Sequence, residues 1–105
     1  MSFTNKKILE IKVSNIDKDI FALFCDNQIL YLADRSKNTL TEAGVFPNIG
    51  MFSKPVDINF YYPYICVSEK YGLNASVINL TTKKIQEFRR EDYHSDVSVY
   101  STDFI

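Results

Sequence analysis

The chain has 105 residues, enough for one domain with a modest core, and 46% of them are hydrophobic, which excludes an intrinsically disordered chain. Net charge is −1, and the densest basic pair, Arg89-Arg90, runs straight into Glu91-Asp92. Nucleic-acid binding draws on a basic stripe that this sequence lacks. There is no apolar run of about 18 residues for a transmembrane helix, and the charges around Lys6-Lys7 interrupt what a signal peptide would need. The expected location is the cytoplasm, where Cys25 and Cys66, both set in apolar runs, stay as buried free thiols.

Seven Tyr and eight Phe, with no Trp and three Gly, lean the composition towards strands whose turns are built on Asn, Asp, Ser and Lys. Residues 7–14 alternate: Lys7, Leu9, Ile11 and Val13 face one way, and Ile8, Glu10, Lys12 and Ser14 the other. This predicts a half-buried strand with Leu9, Ile11 and Val13 on its apolar face. After the polar stretch Asn15 to Asp19, Ile20 to Cys25 is continuously apolar and too short for a helix, so it reads as a strand buried on both faces. Asp26-Asn27 marks a tight turn, since both residues tolerate left-handed backbone angles. Gln28 to Ala33 is the return strand, Asp34 to Asn38 a polar turn, and Thr39 to Phe46 a fourth strand.

Pro47 to Pro55 holds one of the three Gly and two of the three Pro and reads as a connecting loop, with apolar Ile49, Met51 and Phe52 within it. The second half repeats the plan: strands at Val56 to Tyr61, Tyr64 to Glu69, Asn74 to Leu80 and Lys84 to Arg89. A last alternating strand is expected over Val97 to Phe104. The whole chain, 1–105, is one domain, with repeat units at about 7–46 and 56–104 joined by loop 47–55.

Ile20 to Cys25 matches Tyr64 to Glu69, Gln28 to Ala33 matches Ala75 to Leu80, and Thr39 to Phe46 matches Lys84 to Arg90, at an offset of about 44 to 48 residues. The segment Ser76 to Phe88 is an apolar strand, an Asn, a Thr-Lys turn and a short alternating strand; with Tyr64 to Ser68 ahead of it, it resembles the strands of a β-propeller blade. No Trp-Asp or Gly-His dipeptide of the WD40 type is present. The resemblance implies an all-β fold of antiparallel four-stranded meanders repeated twice; a single β-sandwich or small barrel is the alternative. Two blades cannot close a ring that takes about four to eight. The expectation is therefore a homo-oligomer, or a fragment of a longer propeller.

Candidate chemistry is sparse. Asp92, His94 and Asp96 would share a strand face and could hold a cation, but the segment reads equally as a solvated loop. Cys25 or Cys66 with His94 would make a nucleophilic pair only in an electropositive setting. There is no phosphate loop, dinucleotide fingerprint or paired-Cys zinc spacing, so no cofactor, metal or catalytic residue is assigned and no enzyme is expected. Tyr61, Tyr62 and Tyr64 form the most unusual run and, with Ile49, Met51 and Phe52, are the candidate interaction surface; the competing reading of the Tyr run is a strand corner packed over the core. The expected role is a protein-interaction or scaffold module, and the alternative a small-ligand or carbohydrate-binding ring.

Overall fold

The computed structural model describes residues 6–51 and 54–89. They form two four-stranded antiparallel sheets, each a meander in sequence order. The first holds β1 (Ile8–Val13), β2 (Ile20–Cys25), β3 (Ile29–Asp34) and β4 (Thr39–Val45). The second holds β5 (Val56–Tyr61), β6 (Tyr64–Glu69), β7 (Asn74–Asn79) and β8 (Ile85–Arg89). The described residues contain no α-helix, and no strand passes between the sheets as a Greek-key sandwich would require. The architecture is all-β, with two propeller-like blades. The strand expected over Val97 to Phe104 lies outside the described residues.

The hairpins are set by side chains that cap their turns. In the β3–β4 turn, Asp34 Oδ1 accepts from the backbone N–H of Ser36 at 3.0 Å and of Lys37 at 3.3 Å, and Asn38 turns the chain at φ 54°. In the β7–β8 turn, Asn79 Oδ1 accepts from Thr81 N–H at 2.9 Å and Thr82 N–H at 3.2 Å, and Lys83 turns the chain at φ 66°. From 34 to 79 and from 38 to 83 the offset is the same, so the repeat extends to individual turn positions. The β2–β3 turn departs from expectation. Its left-handed residue is Gln28, at φ 67°, and neither Asp26 nor Asn27.

The blades stack face to face, with β1 running beside β5. The core between them takes Ala22, Phe24 and Leu30 from the first blade, Phe46 and Ile49 from the linking loop and its approach, and Val56, Ile58, Phe60, Ile65, Val67, Ile78 and Leu80 from the second. The Phe24 and Phe46 rings stack with centroids 5.9 Å apart. Gly44 lets β4 approach the second blade: a Cβ there would meet Ile85 Cδ1 at 3.0 Å and Ile78 Cδ1 at 3.2 Å. A smaller cluster of Leu23, Cys25, Tyr31 and Ala33 lies on the other face of the first blade. Ile20 to Cys25 is thus buried on both faces, as its unbroken apolar run predicts.

The first strand corrects the sequence reading. A register shift between Ile8 and Glu10 breaks the alternation. Leu9 packs into the core between the blades. Ile11 and Val13, paired with Leu23 and Phe21, turn to the opposite, outer face of the first blade. There they remain 49% and 45% exposed instead of being covered.

Candidate interaction surfaces

The sequence-predicted surface is not one surface. Tyr61 pairs with Tyr64 across a two-residue hairpin turn, Tyr62-Pro63, whose peptide bond is cis. Tyr61 and Tyr62 are exposed, at 64% and 47%, and Tyr64 is half-buried. The Tyr62 backbone N–H donates to Asn15 Oδ1 at 2.7 Å, which ties this corner to the β1–β2 loop of the other blade. Ile49 and Met51 belong to the linking loop, at the far end of β5, a six-residue strand spanning about 20 Å. Ile49 is fully buried in the core between the blades and is unavailable to a partner, which corrects its assignment to a surface. Met51 is 44% exposed, and Phe52 lies outside the described residues.

The linking loop is fixed by a buried carboxylate. Glu69, 3% exposed at the end of β6, accepts from the Gly50 N–H at 3.3 Å through Oε2 and from the Asn74 backbone and side-chain N–H groups at 3.3 Å through Oε1. Asn74 Nδ2 also donates to the Asn48 carbonyl at 2.9 Å. Gly50 sits at φ 71°, with Phe24 and Leu9 so near that a Cβ would meet them at 3.0 and 3.1 Å. The carboxylate's partners make it a structural tie.

Each blade has an outer face pointing away from the other. On the first, Ile8, Ile11 and Val13 stand beside Cys25, Leu23 and Phe21. A shallow groove of about 220 Å³ runs there between Ile11, Phe21, Leu23, Ala33 and Arg35. Sequence reading missed this surface, because without the bulge Ile11 and Val13 fall on the same face as Leu9. The unbroken apolar run of β2 was the available signal: a strand apolar on both sides needs apolar neighbours on both. On the second blade, Asn59, Tyr61, Tyr64, Cys66 and Val77 face outward. A groove of about 300 Å³ there is lined by Tyr64, Val77, Asn79, Thr82, Lys84 and Gln86.

Chemistry on these faces is limited. Cys25 and Cys66 are free, buried thiols on opposite outer faces. Burial, with Asp57 adding to it, pushes the Cys66 thiol up to about 12; burial first and Asp26 second raise that of Cys25. Both therefore stay protonated at neutral pH, the opposite of an activated nucleophile. Among the described residues no three His, Cys, Asp or Glu side chains converge as metal ligands. Asp92, His94 and Asp96 lie outside them.

The fold is similar to that of the N-terminal domain of Nup159, a β-propeller, with a TM-score of 0.53 and 15% identity over 78% of this chain. The match takes in 20% of the Nup159 chain, so this protein spans about a fifth of its length. No family profile and no curated protein matches the sequence. At this identity the likeness bears on the fold alone, that of propeller-like blades.

Proposed function

We propose that the chain is a non-enzymatic protein-interaction module of propeller-blade type. The observation that carries this reading is the outer face of the first blade, where Ile8, Ile11 and Val13 are 41%, 49% and 45% exposed beside a buried apolar cluster. Contiguous apolar surface of this kind marks contact sites, whereas scattered single exposed residues do not. The raised thiols of Cys25 and Cys66 argue against nucleophilic chemistry at those two residues. Unpaired cysteines support the cytoplasm as its compartment.

The test is site-specific photo-crosslinking in cells, with the photoreactive residue at Ile11 and, for comparison, at exposed Lys18 in the β1–β2 loop. Position 11 is expected to give a discrete polypeptide adduct, identified by mass spectrometry, and position 18 none. Absence of any adduct at position 11 removes the reading. A second reading, capture of a small polar ligand, is favoured by the groove whose rim carries Asn79, Thr82 and Gln86. A saturable, stoichiometric ligand whose binding is lost in Gln86→Ala would establish it.

A further inference from the structure

We infer that the outer face of the first blade receives the outer face of the second blade of another copy of this chain, joined head to tail. This rests on the interaction reading above and names its partner. The repeat itself provides the argument. Strand β2 maps onto β6 at the offset from 20 to 64, so Phe21, Leu23 and Cys25 correspond to Ile65, Val67 and Glu69. The partners of these residues correspond too. Ile8, Ile11 and Val13 pair with Cys25, Leu23 and Phe21; Val56, Ile58 and Phe60 pair with Glu69, Val67 and Ile65. Val56, Ile58 and Phe60 are 1%, 0% and 5% exposed, because the neighbouring blade covers them. Their counterparts on the first blade have the same apolar character and are 41%, 49% and 45% exposed. The first blade therefore carries the receiving face of a blade joint, and among the described residues no blade lies on it.

The same register identifies what fits there. Within the chain the second blade receives Ala22, Phe24 and Leu30 from the first. Their counterparts are Cys66, Ser68 and Ala75, which lie on the outer face of the second blade and are themselves buried, with Tyr61 exposed beside them on that face. Side-chain sizes trade between the two sides of the joint. The donating face shrinks from Phe24 to Ser68 and from Leu30 to Ala75. The receiving face grows from Ile65 to Phe21 and from Ser76 to Tyr31. Other positions change the opposite way, with Phe60 matched by the smaller Val13 and Ala22 by the larger Cys66, so volume is redistributed across the joint. A second copy of this chain offers, by register, the face that corresponds to the one seated against the second blade within the chain. The joint is heterologous, since each copy uses one face to give and a different face to receive.

A heterologous joint has a diagnostic test by light scattering on the full chain over a concentration series. The wild type is expected at an integral multiple of 12.2 kDa. Ile11→Asp, on the receiving face, and Tyr61→Asp, on the donating face, each place an unpaired charge in the joint and are expected at 12.2 kDa. An equimolar mixture of the two variants retains one intact joint and is expected at twice that mass. Both positions are exposed, and circular dichroism verifies folding; Val13→Lys and Asn59→Arg replace any variant that fails it. A wild type that stays at 12.2 kDa at every concentration overturns the inference, as does association that survives Tyr61→Asp. If the chain is monomeric yet crosslinks at Ile11 to a different polypeptide, the second copy is wrong and the interaction reading stands. A monomer with no adduct overturns both.

Discussion

Cys66 is the residue whose surroundings most change its chemistry. Unfolded, its thiol titrates near 9.0; in the fold, burial and the Asp57 carboxylate push it up to about 12. Between those values the unfolded chain has released a proton that the folded chain still holds, so stability falls as pH rises from 9.0 towards 12. Urea unfolding stepped from pH 8 to 11 is expected to show a steeper loss for the wild type than for Cys66→Ala. Equal slopes would mean that the thiol is solvated in the native state. Ser76 presents a related local imbalance: its hydroxyl and the Asn74 side-chain carbonyl are buried without hydrogen-bond partners.

At the level of elements, the linking loop depends on a tie that does not come from the loop itself. Glu69 on β6 accepts hydrogen bonds from Gly50 and from Asn74, so a single carboxylate joins the loop, β6 and β7. Removing it orphans buried donors. Glu69→Ala is expected to destabilise the fold by about 2–3 kcal/mol, measured by denaturant unfolding, with Glu69→Gln closer to wild type because one acceptor remains. The strands themselves were largely legible in the sequence. Val56–Tyr61 and Tyr64–Glu69 lie where alternation and turn residues place them, and the apolar run of Ile20–Cys25 announced burial on both faces. The bulge at Leu9 was not legible. One extra residue leaves composition and hydrophobicity unchanged while turning every later side chain of β1 to the other face. Ile49 was misread for a similar reason: an apolar residue in a loop bounded by Pro47 and Pro55 does not reveal whether it points into the core or out.

Across the whole molecule, the sequence repeat foretold the two blades, and the face-by-face correspondence became visible only once strand register was known. Within each blade the meander connects every strand to its chain neighbour. Through the offset of 44 between β2 and β6, the β1 and β5 positions paired to them prove equivalent, buried at Val56, Ile58 and Phe60 and exposed at Ile8, Ile11 and Val13. The interaction surface was thus partly encoded in the repeat. The candidate site read from aromatic composition instead led to Tyr61, Tyr62 and Tyr64, which form a hairpin corner; of these, Tyr61 and Tyr64 also belong to the second blade's outer face.

The meander has a consequence for how the chain loses its structure. Every hairpin closes between neighbours in sequence, so each blade can assemble and melt as a local unit, while all-or-none behaviour depends on the joint where β1 meets β5. Ile58, fully buried there and with no role in turn capping, belongs to that coupling. Ile58→Ala is expected to cost about 2–5 kcal/mol and, more tellingly, to replace one cooperative melting transition with two. Calorimetry would resolve them as separate heat-absorption peaks; a single sharpened or merely shifted peak would show that the blades remain coupled through other contacts. The coupling of the two blades would then reside in a handful of side chains between units that the backbone links by a short loop.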